Sequence, residues 1–149
     1  MLILTSPQQP PQPEQPPPPS YKRIDISEDD IMKMNINPEF QKLLQYYIEK
    51  INAFADDYPN DYIFRLLRDI NNVVRSACCN TEDSNRLILW DIKAKANKTR
   101  AIFYRKLAEF NIKNGGVNSN AYIRLAKMDE FESDETERLI KYMSQGNCG

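Results

Sequence analysis

The chain contains no histidine. That excludes imidazole general bases, Ser-His and Cys-His nucleophile pairs, and every zinc site that needs a histidine ligand. Its three cysteines, Cys78, Cys79 and Cys148, include no pair at CxxC spacing, which argues against a structural zinc site as well. Adjacent cysteines on a helix do not readily reach disulfide geometry. An odd thiol count instead suits a reducing compartment, where cysteine serves as a small apolar side chain. No apolar run approaches the roughly eighteen residues of a membrane span, and the opening Met1 to Leu4 is too short for a signal-peptide core. An intracellular protein, cytoplasmic or nuclear and without a membrane span, is expected. Glycine is scarce, at four residues, and no P-loop, GxGxxG or GxSxG pattern occurs. No catalytic residue, metal ligand or cofactor site is nominated, and the expected protein is not an enzyme.

What is present fits one domain behind a tail. The 149 residues are 41% apolar and 28% charged, with a net charge of −1, so any attraction to a polyanion must come from a local patch. Residues 1–20 hold eight of the ten prolines and one charge, Glu14. Such a stretch cannot bury a face and is expected to be a disordered, extended tail. It runs into Pro18, Pro19, Ser20 and Tyr21, a PPxY-like pattern of the kind a WW domain reads: paired prolines fill an aromatic groove and the tyrosine a second pocket. Pro18, Pro19 and Tyr21 are therefore candidate partner-binding residues. An SH3-type reading fits less well, because Lys22 stands one place late.

Residues 21–37 read as a linker with a short helix, with Ser27 as cap and Glu28, Asp29 and Asp30 at its positive end. Asn37-Pro38 opens the helical bundle, assigned to residues 38–146. Phe40, Leu43, Leu44, Tyr47, Ile48, Ile51, Phe54 and Ala55 recur at three-four spacing. A second helix from about Tyr62 to Cys79 repeats the pattern through Ile63, Leu66, Leu67, Ile70, Val73, Val74, Ala77 and Cys78. A third, capped by Thr81 or Ser84, carries Leu87, Ile88, Ile92, Ala96, Phe103, Leu107 and Phe110, with a weak point at Asn97 to Thr99 where it is expected to kink or divide. Gly115-Gly116 ends it. Two short helices close the chain: Ala121 to Met128, then one opened by an Asp134/Glu137 capping box and carrying Leu139, Ile140 and Met143. The expected fold is all-α, a compact bundle of four to six helices. A helix hairpin this apolar could equally close a homodimer.

The strongest charge feature lies on the third helix. Lys93, Lys95, Lys98, Arg100, Arg105 and Lys106 stand within fourteen residues with no acid among them. With Phe103 and Tyr104 beside them, they could engage phosphates while an aromatic stacks on a base; the alternative is a solvated helix face. Asp129, Glu130, Glu132, Asp134, Glu135 and Glu137 match the six cations in number, and pairing between the two sets would leave little positive field.

Asn97, Lys98, Ala101, Ile102, Glu109, Asn114, Gly115, Gly116 and the Tyr122-Ile123-Arg124-Leu125 segment form a pattern within residues 86–143. It resembles the RNA-binding domain of the phosphorylated adaptor for RNA export, in which an Asn-Lys helix, a double glycine and a closing helix recur. The resemblance implies contact with single-stranded RNA through the loop that follows Gly115 and Gly116, which join the six cations as candidate nucleic-acid-binding residues. The family has an arginine-rich loop after the double glycine, whereas this chain has Val117-Asn118-Ser119-Asn120. The expected function is a non-catalytic adaptor or regulator that binds a macromolecule, a protein partner first and RNA as the alternative.

Overall fold

The computed structural model describes residues 23–54, 59–79 and 81–144. The PPxY-like residues Pro18, Pro19 and Tyr21 lie outside them, as do Ala55 and Cys148. Five helices follow in order: α1 (Glu28–Lys33), α2 (Pro38–Ala53), α3 (Asp61–Cys78), α4 (Asp83–Lys113) and α5 (Ser119–Ser144). No strand occurs among the described residues, and the bundle is all-helical.

Short polar side chains start three of the helices, as backbone N–H groups without intrahelical partners require. Ser27 Oγ accepts from Asp30 N at 3.0 Å, Asn37 Oδ1 from Glu39 N at 2.9 Å, and Asn60 Oδ1 from Ile63 N at 3.0 Å. α4 departs from expectation, because Glu82 holds its cap position without a side-chain bond. Thr81 is occupied otherwise: its hydroxyl accepts from Asn85 Nδ2 at 2.7 Å.

The three-four positions of α2 and α3 bury Leu44, Ile48, Ile51, Ile63, Leu66, Leu67, Ile70 and Val74, and one face of α4 adds Leu89, Ile92, Ala96 and Phe103. Each large side chain so buried contributes roughly 1.5–3 kcal/mol before chain entropy is counted. The stretch read as a linker joins the same core through Ile24, Ile31 and Met34. Side-chain amides hold it there. Asn52 brackets Ile24, accepting from its N–H at 2.9 Å and donating to its carbonyl at 3.1 Å. Gln41 Nε2 lies 3.1, 3.3 and 2.9 Å from the carbonyls of Ile31, Met32 and Met34, where α1 ends. Asn85 of α4 brackets Asn35 in the same way.

α4 is one unbroken helix, about 46 Å long at 1.5 Å per residue. The expected break at Asn97 to Thr99 does not occur. Both residues are 1% exposed; Thr99 Oγ1 donates to Lys95 O at 2.8 Å and Asn97 Oδ1 accepts from Asn71 Nδ2 at 3.2 Å. Tertiary partners there outweigh weak local propensity. α5 is likewise a single helix, with no new start at Asp134.

The two long helices form an antiparallel hairpin. Ala94 meets Ser133, Arg100 meets Asp129, Tyr104 meets Tyr122, and Asn111 meets Asn118. Ala94, Ala101 and Ala108 recur every seven residues and are buried, as are Ala126 and Ser133 on α5. Small side chains at heptad spacing let two backbones approach closely, and Ser133 Oγ reaches the Ala94 carbonyl at 2.9 Å. The three acids Asp129, Asp134 and Glu137 thus lie inside a helix that packing on α4 keeps continuous. α4 also runs past the start of α3, which is why Phe110, expected in the core, is 49% exposed. At the hairpin turn Asn114 caps α4 and Gly115 takes φ 72, a conformation glycine adopts without steric cost.

Candidate functional site

The six cations of α4 do not form one ridge. A helix turns about 100° per residue, so their spacing sends them in three directions. Lys93 and Arg100 line a cleft toward α3. Lys95 Nζ binds Asp91 at 2.6 Å one turn away. Lys106 Nζ lies 5.4 Å from the centre of the Phe103 ring, where a cation is attracted to the π face. Lys98 is exposed. Gly115 and Gly116 are exposed in the turn at the far end of α4.

Two of the six are held by the acidic segment of α5. Arg100 donates through Nε and Nη2 to both oxygens of Asp129 at 2.8 and 2.8 Å, and Arg105 does the same to Glu130 at 2.7 and 2.8 Å. The hydrogen bonds that Asp129 accepts raise the Arg100 pKa above its ordinary value against the opposing effect of burial. Arg105 is raised by its bond to Glu130, whose carboxyl is held below its ordinary value by the same contact. A third cation, Lys95, has its own carboxylate, so half of the run is engaged within the chain. The aromatics expected to stack on a base are also in use. Phe103 is fully buried, and Tyr104 lies 4.8 Å from the Phe64 ring and 6.5 Å from Tyr122. Burial pushes the Tyr104 hydroxyl up from its ordinary pKa.

The outer face of α5 carries a feature that the sequence reading assigned to two closing helices. Ser119, Tyr122, Ala126, Asp129, Ser133, Thr136, Ile140 and Met143 follow a three-four spacing and turn toward α4. About 100° round the helix, Leu125, Met128, Glu132, Glu135, Leu139 and Tyr142 follow the same spacing and are exposed. Leu125, Met128, Leu139 and Tyr142 are 39%, 59%, 44% and 53% exposed, and Phe131 beside them is 63% exposed. Two carboxylates thus interrupt an apolar stripe at its middle. The clue in the sequence was this second heptad register, which only a continuous α5 makes visible.

Among the described residues no helix is long and apolar enough to cross a membrane, and no group of three or more Cys, Asp or Glu is arranged to hold a metal ion. Burial raises the pKa of the Cys78 thiol, while Cys79 is exposed. Comparison with protein-family models, with curated proteins and with solved structures finds no match to this chain.

Proposed function

We propose that this protein is a non-catalytic helical adaptor that binds a partner protein along the outer face of α5. The observation that carries the reading is the exposed stripe of Leu125, Met128, Phe131, Leu139 and Tyr142 on a helix whose other face is fully committed to α4. Exposed apolar clusters of this kind, Leu125 with Met128 and Phe131 and, two turns on, Leu139 with Tyr142, support an interaction site. Glu132 at its centre, next to a Glu135 that Arg138 of the same helix engages, defines the complement: an amphipathic helix with apolar residues at both ends and a basic residue between them. Pro18, Pro19 and Tyr21 supply a second contact for a WW-domain protein, so that the chain joins two proteins. Engagement of Lys95, Arg100 and Arg105 by carboxylates of the same chain favours a protein partner over RNA.

The test compares affinity capture from cells by the full chain and by M128E/F131E, scoring protein and RNA in parallel. Both positions are exposed, so the fold should survive. Hot-spot losses of about 2 kcal/mol or more correspond to roughly thirtyfold weaker binding, and the partner should disappear from the variant's eluate. RNA retained by both forms, with a steep salt dependence, would replace this reading with the nucleic-acid one. Light scattering on the same samples identifies a second copy of the chain as the occupant if M128E/F131E converts a dimer to a monomer. Replacement of Tyr21 by Ala should abolish WW-domain capture independently of α5.

A further inference from the structure

A cleft of about 490 Å³ opens where α3, α4 and α5 meet. That is within the size range of small-molecule sites, roughly 300–1,000 Å³. Its walls carry four cations, Arg68, Arg75, Lys93 and Arg100, against one carboxylate, Glu132. Arg68 and Arg100 already have partners in Asp69 and Asp129. Arg75 and Lys93, from facing helices, form no ion pair with any described carboxylate. They leave a positive rim.

Below them lies an incomplete amide pair. Asn71 Nδ2 donates to Asn97 Oδ1 at 3.2 Å, but the complementary atoms, Asn71 Oδ1 and Asn97 Nδ2, are buried without a hydrogen-bond partner. Asn97 is 1% exposed. A buried acceptor and a buried donor cost stability when unmet, and a ligand that brings the pair both a donor and an acceptor answers both. Trp90, the one tryptophan in the chain, lines the same cleft. It stands two turns from Asn97 along α4, past Lys93, at the end of the cleft away from the amide pair.

We propose that this cleft binds a nucleoside monophosphate, its phosphate between Arg75 and Lys93 and the donor–acceptor edge of its base toward the Asn71–Asn97 amide pair. Glu132, on the α5 side, accepts from a sugar hydroxyl. The inference is independent of the partner-binding face of α5. A free phosphate satisfies the rim alone, whereas a nucleotide also completes the amide pair, so affinity should separate the two.

Trp90 makes the experiment site-specific, because its emission, excited at a wavelength nucleotides do not absorb, reports on this cleft alone. The full chain is titrated with AMP, GMP, CMP and UMP, and with ribose 5-phosphate and inorganic phosphate. At least one nucleotide should change the emission saturably and bind ten times or more tighter than ribose 5-phosphate or phosphate. R75A/K93A, which alters only the rim, should weaken that nucleotide at least tenfold with the helical circular dichroism unchanged. N71A should erase the preference among bases. No change with any nucleotide at millimolar concentration overturns the proposal, as does equal affinity for ribose 5-phosphate, or nucleotide binding that R75A/K93A leaves intact.

Discussion

Two bidentate Arg–carboxylate pairs tie α5 to α4 with nearly identical hydrogen-bond lengths, and they differ in burial. The side chains of Arg100 and Asp129 are 24% and 7% exposed, whereas those of Arg105 and Glu130 are 46% and 39% exposed. Removing one member of a buried pair strands the other charge, at a cost of roughly 3–5 kcal/mol. Breaking an exposed pair costs about 1 kcal/mol or less, because water and salt already screen it. D129A should therefore lose several times more stability than E130A in urea unfolding followed by circular dichroism. Against a total of roughly 5–15 kcal/mol for a domain of this size, that loss is large. Because α5 packs chiefly on α4, the damage should appear first as faster amide exchange across Ser119–Ser144, with α2 and α3 still protected. Replacing both partners, as R100M/D129L, should recover most of the loss, since no charge is left without its counterpart. If D129A and E130A prove equal within about 0.5 kcal/mol, burial is not what distinguishes the pairs and the reasoning fails.

Five further outcomes follow from individual residues. At the hairpin turn, G115A should cost about 1–2 kcal/mol through its positive φ alone, since an added Cβ meets nothing within 4 Å; thermal unfolding measures it. A Cβ at Gly116 would fall 2.3 Å from Asn111 Nδ2, so G116A should displace Asn111 and break its bond to Asn118 N, which NMR shifts of the turn would register. Because Arg105 holds the Glu130 carboxyl below its ordinary value, the stability it adds is complete above the unfolded carboxylate pKa, near pH 4.3, and is lost as pH falls through the lower folded value. E130Q and the parent chain should thus converge in stability in acid and separate above it, by no more than about 1 kcal/mol. Q41L should release the end of α1 and speed proteolysis near Met32 to Met34, because the carbonyls there lose the one buried amide that they share. Brief alkylation followed by mass spectrometry should label exposed Cys79 ahead of Cys78, whose thiol burial holds in the protonated, unreactive form.

Helix identity and much of the core were legible because three-four apolar spacing is a direct record of which face is buried. Phe40 through Ile51 and Ile63 through Ala77 carry that record plainly, and Ser27, Asn37 and Pro38 mark where α1 and α2 begin. What the sequence concealed was packing built from small or polar residues. Ala94, Ala101, Ala108, Ala126 and Ser133 carry little hydrophobic signal, although their small size is what brings α4 and α5 together. Gln41, Asn52 and Asn85 look like surface amides, and their role in anchoring residues 24–35 exists only once carbonyls from distant positions arrive beside them. The acidic stretch of α5 reads locally as a helix start, and contact with α4 overrides it. The same contact sets the charge pattern: matching numbers of acids and bases suggested pairing, but only the antiparallel register selects Asp129 for Arg100 and Glu130 for Arg105.

The most direct measurement of the central claim is site-specific photocrosslinking in living cells. Benzoylphenylalanine placed at position 131, on the outer face of α5, is compared with the same residue at position 98, on the exposed cationic side of α4. The account predicts a discrete protein adduct from position 131, lost when M128E is added, and none of comparable yield from position 98. Nuclease-sensitive adducts from position 98 with no protein adduct from position 131 would contradict it.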